Sequence, residues 1–228
     1  MRRSAGFTLI SMMVGLLISS IAILGMMSLY KTLVHNAADS IVRSTLDGQV
    51  SSALLTAEME LQGAGFAIPG ATANNDLVIL ANASLTADGN LNGNKLTITS
   101  ASPGSEGNAI IWGADISGAG YRCSGLLAQN GGLTLLQPTP CSAASAYSGA
   151  AWNGVQLIAE NTLNDEQAVA MSAALATCWP YGKSTSASAV LVSLSAGTST
   201  FADSAETKHA RQIADICLPG ISQSQVVK

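Results

Sequence analysis

Four cysteines, Cys123, Cys141, Cys178 and Cys217, are the side chains best equipped for covalent chemistry, and no two of them form a C-x-x-C pair. Without that spacing a redox dithiol is disfavoured, and an even count outside the cytoplasm reads as disulfides. Three connectivities are open, and Cys123–Cys141 with Cys178–Cys217 is the expected one. The first bridge would close a loop of 19 residues, contributing about 3 kcal/mol in the chain-entropy account. The only histidines, His35 and His209, stand far apart in sequence and give no ligand set for a transition metal. Asp88-Gly89-Asn90-Leu91-Asn92-Gly93 matches the opening of a calcium loop, but its twelfth position is Thr99, where a bidentate glutamate belongs. An Asn/Gly-rich turn accounts for those residues, and no cofactor is expected. A serine hydrolase would have to draw on His209 with Asp203 or Asp215, and there is no G-x-S-x-G elbow. No enzyme is expected.

Disulfides need export, and residues 1–30 supply the means. A basic start with Arg2 and Arg3 ends at Gly6, and Phe7 to Tyr30 then runs uncharged and mostly apolar until Lys31. At helical rise those 24 residues cover roughly 36 Å, enough to cross a bilayer core. The run is longer than the apolar core of a secretory signal, and no convincing small-residue cleavage site follows it. Arg2 and Arg3 keep the amino end in the cytoplasm and send the remainder outward.

The junction Gly6-Phe7-Thr8-Leu9-Ile10 resembles the processing motif of type IV prepilins and the related pseudopilins. The resemblance is strong over about the first 30 residues and moderate along the helix to Phe66. It implies cleavage after Gly6 by a prepilin peptidase and N-methylation of Phe7. It also implies an inner-membrane precursor with its domain in the periplasm, handed by an assembly platform to an extracellular pilus of other pilin subunits. Glu58-Met59-Glu60-Leu61-Gln62-Gly63-Ala64-Gly65-Phe66 is similar to the helix ending of PilW-like minor pilins.

At the sixth position of that motif the family nearly always carries glutamate, and here stands Ser11. A carboxylate in a membrane helix costs about 2.5–3.5 kcal/mol on insertion scales, and pilins keep it to pair with the terminal amine of the subunit ahead. A subunit at the fibre tip has none ahead, and the tip pseudopilin of type II secretion also lacks the acid. Ser11 can instead return its hydroxyl to the Phe7 carbonyl. The resemblance therefore implies a minor pilin that initiates or caps a fibre, the alternatives being a type II secretion tip pseudopilin and a tip adhesin. Ser11, Gly15, Ser19 and Ala22 follow helical spacing and form a stripe of small side chains that lets helices pack closely.

From Lys31 onward Val34, Ala38, Ile41, Val42, Leu46, Val50, Ala53, Leu54, Ala57 and Leu61 recur at three- and four-residue intervals. That spacing predicts an amphipathic helix whose stripe lies on a folded domain. No proline precedes Pro69, so one helix can run from Thr8 to Ala64, and Gly63, Gly65 and Pro69-Gly70 stop it. Strands are expected at Leu77–Asn82, Lys95–Ser100, Ala109–Trp112, Leu133–Gln137, Val155–Glu160 and Val190–Ser195, with a loop over Asp88–Asn94. Asn164–Cys178 favours a helix with a strand possible, and His209–Leu218 is open. The fold class is α+β, a pilin-like long amino-terminal helix packed on an antiparallel sheet. The organisation is a leader over 1–6, an apolar half-helix over 7–30, an amphipathic half over 31–66 and a β-rich domain over 67–228.

Charged residues are 11% of the chain and aromatics 4%, which leaves little for ionic networks or stacking platforms. Removing Arg2 and Arg3 leaves eight of the ten basic side chains against fourteen acidic ones, a formal charge of −6. That is a poor footprint for nucleic acid. Lys208, His209 and Arg211 form the one small basic cluster and read as a solvated face.

Overall fold

The computed structural model describes residues 8–101, 104–116, 118, 120–179, 187–198 and 211–222. Its first element is a single helix, α1 (Leu9–Leu61), and the chain divides within it into two compact units, Met1–Thr45 and Leu46–Lys228. In the first unit α1 is long and apolar enough to cross a membrane, and its large side chains from Leu9 to Tyr30 are all exposed. In the second unit α1 buries Val50, Ala53, Leu54, Ala57 and Leu61, with Leu46 partly covered. The periodic stripe was expected to be seated from Val34. Val34, Ala38, Ile41 and Val42 are exposed instead, because periodicity shows which face is apolar and not how far along the helix a domain reaches.

The helix closes where its glycines stand. The amides of Gly63 and Ala64 bond the carbonyls of Glu60 and Leu61, tightening the last turn. Gly65 then takes φ +75°, and a Cβ there would fall 2.3 Å from the Gly220 carbonyl oxygen, so the chain reversal admits no side chain.

Among the described residues ten strands follow: β1 (Leu77–Leu85), β2 (Leu91–Leu96), β3 (Ser105–Gly107), β4 (Ala109–Ala114), β5 (Arg122–Gln129), β6 (Gly132–Pro140), β7 (Gly154–Ile158), β8 (Ala170–Cys178), β9 (Ala187–Gly197) and β10 (Arg211–Leu218). They form a six-stranded sheet in the order β2-β1-β4-β5-β6-β7 and a four-stranded sheet in the order β10-β9-β8-β3. Every pairing is antiparallel. A long amino-terminal helix followed by an antiparallel β domain is the α+β, pilin-like architecture expected.

The larger sheet is buried on both faces. Leu77 and Ile79 of β1, Ile110 and Trp112 of β4 and Leu126 of β5 join the carboxyl half of α1 and the inner face of the smaller sheet in one core. Val78, Leu80, Ile111 and Leu127 point the other way, into a second core closed by Trp152 and the 3-10 turn Ala144–Gly149. Unbroken runs such as Leu77-Val78-Ile79-Leu80 follow directly, since both parities of the strand are covered. The smaller sheet has one wet face, and β9 accordingly alternates Val190, Val192 and Leu194 inside with Ser193 and Ser195 outside.

Several local expectations are corrected. The second strand occupies Leu91–Leu96 and not Lys95–Ser100, so the supposed Asp88–Asn94 loop shrinks to a turn at Asp88-Gly89. Asn164–Cys178, where a helix was favoured, yields β8, paired with β9 from Ala170↔Ser195 to Cys178↔Ala187. Alanine's helix preference loses there to burial of Met171 and Ala173 against the core. The open segment ending at Leu218 is β10 from Arg211, and His209 lies outside the described residues. β3 and β5 had no alternation strong enough to announce them.

Candidate functional site

The candidate site is the arm of α1, and its local chemistry is that of a helix made to be immersed. Thr8 precedes the first helical residue and its Oγ1 accepts from the Ser11 amide at 3.4 Å, a side-chain cap on the first turn. Sequence reasoning passed over that cap, although a threonine directly before an apolar run is its usual signal. Ser19 Oγ donates to the Leu16 carbonyl at 3.1 Å, and Ser20 Oγ reaches the carbonyls of Leu16 and Leu17, each at 2.9 Å. Thr32 Oγ1 does the same to Ser28 at 3.2 Å. Hydroxyls spent on their own helix backbone carry no unmet polar demand into lipid.

Ser11, Gly15, Ser19 and Ala22 stand on one side of α1, all exposed, and a Cβ built on Gly15 meets nothing within 4 Å. The stripe is therefore open to a neighbour. Gly6 and Phe7 lie outside the described residues, and with them the proposed Ser11–Phe7 contact.

Residues 1–27 match the prokaryotic N-terminal methylation motif. The matched span takes in the leader and the first turns of the arm and none of the strands. It supports a type IV pilin-like or pseudopilin protein: a prepilin-type leader that a prepilin peptidase processes, and an apolar helix that anchors the chain in a membrane before assembly. The motif points to a structural protein. No curated protein and no solved structure matches the chain.

In the β-rich unit the cysteines come together in the expected pairs. Cys123 in β5 and Cys141 just past β6 have Cα atoms 5.8 Å apart, and so do Cys178 in β8 and Cys217 in β10. The first bridge staples adjacent strands, and the second ties the two strands that flank β9.

Asp215 accepts from Ser193, its partner in the β9–β10 register, while Asp203 and His209 lie outside the described residues. Arg211, read as part of a solvated basic face, is exposed, and it also donates to the carbonyls of Glu166 at 2.8 Å, Ala168 at 2.7 Å and Ser195 at 3.0 Å. It clamps the approach to β8 onto β9. Lys208 falls outside the described residues. In the stretch weighed as a calcium loop, Leu91, Asn92 and Asn94 are paired with β1. Among the described residues no group of three or more His, Cys, Asp or Glu could hold a metal.

One buried polar cluster was not anticipated. Asp76 is buried, and its Oδ2 accepts from the Thr72 amide at 2.9 Å and from Asn75 Nδ2 at 3.1 Å. Its Oδ1 accepts from the Tyr121 hydroxyl at 2.8 Å, and that hydroxyl accepts from the Ala144 amide at 3.2 Å. Burial, with Asp76 beside it, pushes the Tyr121 phenol well above its ordinary range. The cluster joins the start of β1, the entry to β5 and the 3-10 turn, and its role is to position them.

Proposed function

We propose that this chain is a minor pilin of a type IV pilus, of the PilW-like kind, without catalysis of its own. Its leader would be removed between Gly6 and Phe7, the new amine methylated, and the domain held outside the inner membrane until the arm enters a fibre. The observation that carries the reading is the methylation motif over residues 1–27, joined to an arm whose large apolar side chains are all exposed. Burying that surface among other helices relieves a cost that lipid alone also relieves, but only a bundle uses the open small-residue stripe. Its partners are other pilin subunits, the prepilin peptidase and the assembly platform, and calcium is not required.

Ser11 favours a second reading within the same machinery. Because it offers no carboxylate to a subunit ahead, a first-in position suits it, at a pilus tip or at the tip of a type II secretion pseudopilus. Mass spectrometry of the native product tests the core reading. A terminus at methylated Phe7 is expected, and an intact Met1 would reduce the protein to a tethered exported domain. Deleting the gene and imaging cells separates the roles: loss of filaments supports initiation, and filaments that persist without adhesion would favour a tip adhesin.

A further inference from the structure

Among the described residues, no strand pairs with the outer edge of β10, which ends the four-stranded sheet. Which backbone groups face that edge follows from the register. The Gly197 amide of β9 bonds the Gln167 carbonyl, and the Leu175 amide of β8 bonds the Thr99 carbonyl, so both residues turn their backbone away from the strand they face in register. Antiparallel pairs alternate strictly in this respect. On β10, Gln212, Ala214, Ile216 and Leu218 therefore spend their backbone groups on β9, while Ile213, Asp215 and Cys217 turn theirs outward. Among the described residues those outward groups have no backbone partner. Free edges of this kind recruit other strands unless they are blocked.

Beside the edge runs a groove of about 350 Å³, lined by Glu58 and Gln62 of α1, by Trp179, by Asp215–Cys217 of β10 and by Pro219. Its lining holds two carboxylates and neither lysine nor arginine. Trp179 is 58% exposed there, and it follows Cys178, which is bonded to Cys217, so its backbone is tied close to the strand. An exposed aromatic ring in a groove that two carboxylates also line suits a cationic side chain.

We propose that the β10 edge docks an extended, lysine- or arginine-bearing segment of another protein, which adds a strand and sets a basic side chain among Trp179, Glu58 and Asp215. Backbone bonds from the edge supply attachment and the acidic groove supplies selection, the division of labour in strand addition. A second copy of this chain is a poorer occupant. Its processed form carries a net −6, and edge against edge would oppose Asp215 and Glu58 to their equals, while Arg211 is committed to carbonyls of its own chain. The inference is independent of how the arm is used.

Amide exchange on the full chain in detergent micelles tests it, with acetyl-Thr-Lys-Val-Lys-Val-Lys-Thr-amide as the probe and the same peptide with glutamate for lysine as the control. The amides of Ile213, Asp215 and Cys217 should exchange freely in the protein alone, and slow at least about tenfold with the lysine peptide at about 1 mM while the glutamate peptide leaves them unchanged. Ile213→Pro removes one outward N–H and leaves the β9 ladder whole. It should abolish the slowing, and so should Glu58→Lys. Three results would each overturn the proposal: protection of those three amides before any peptide is added, which would mean the chain covers its own edge; equal slowing by both peptides; or no slowing while Gln212 and Ala214 stay protected.

Discussion

Replacing Tyr121 with phenylalanine probes the buried polar cluster around Asp76 in the β domain. The hydroxyl donates to Asp76 Oδ1 at 2.8 Å, and the other bonds to this carboxylate, from Thr72 and Asn75, both fall on Oδ2. Tyr121→Phe thus leaves Oδ1 unmatched on a residue that is 5% exposed, and it also removes the acceptor of the Ala144 amide. A hydrogen bond to a charged group contributes about 1.5–3 kcal/mol and a neutral one about 0.5–1.5, so the expected loss is about 2–4 kcal/mol. Relaxation around the missing oxygen is limited on one side by Gly113, where even a Cβ would lie 2.1 Å from it.

Urea unfolding of the full chain in detergent, followed by tryptophan fluorescence, reads this as a midpoint lower by roughly 1 M at unchanged slope. Alkaline titration adds a signature that a mere cavity would not produce. The phenol of Tyr121 is held above its ordinary value in the fold, so above about pH 10 the unfolded chain binds fewer protons than the native one. Stability then falls as pH rises, by at most about 1.4 kcal/mol per pH unit for this group. The phenylalanine variant should lose that component of the slope. A cost below about 0.5 kcal/mol, or an alkaline slope the variant shares in full, would refute the account of the cluster.

The remaining expectations are shorter. Ser11→Glu should move tagged protein from fibre ends into the shaft, as seen by immunogold; unchanged piliation with label all along wild-type fibres would dispose of the tip reading. Cys178→Ser opens a bridge with a sequence separation of 39 and should cost about 4 kcal/mol in the chain-entropy account, while intact-mass measurement of native material should find no free thiols. Gly65→Ala forces a side chain into φ +75° against the Gly220 carbonyl. A loss of about 2 kcal/mol or more in thermal or urea unfolding is expected, and a neutral result would mean that the turn is not as tight as drawn. Leu54→Ala, at a residue 1% exposed in the main core, should cost about 2–5 kcal/mol by the same assay.

What could be read in advance was whatever rests on local signals. The 24-residue apolar run, the absence of proline before Pro69 and the glycines after Leu61 announce α1 without any tertiary knowledge. Leu77-Val78-Ile79-Leu80 and Ala109–Trp112 are apolar at both parities and were visible as strands for that reason. β8 was not, because an alanine-rich segment has no local preference strong enough to oppose a helix, and its strand is decided by pairing with β9. β5 hides its register behind Ser124 and Gly125. The Asp76–Tyr121 pair is 45 residues apart in sequence, and nothing in either neighbourhood signals the other. The bonds of the exposed Arg211 were not legible either, because its partners are backbone carbonyls, which carry no mark in a sequence.

The contrast between the two units bears on why the arm's sixth motif position matters. In the β domain two cores are filled, and the buried Asp76 carboxylate has three donors. In the arm the hydroxyls of Ser19, Ser20 and Thr32 bond their own helix, while every large apolar side chain is exposed. Those side chains require apolar cover, which lipid and neighbouring helices supply equally well, so nothing apolar decides between them. A charge at position 11 would decide it, since a carboxylate in that setting demands a cationic partner that lipid tails lack. Serine makes no such demand. On the first-in reading proposed above, this arm would rest in the membrane without a partner ahead of it and support following neighbours through the open face at Gly15.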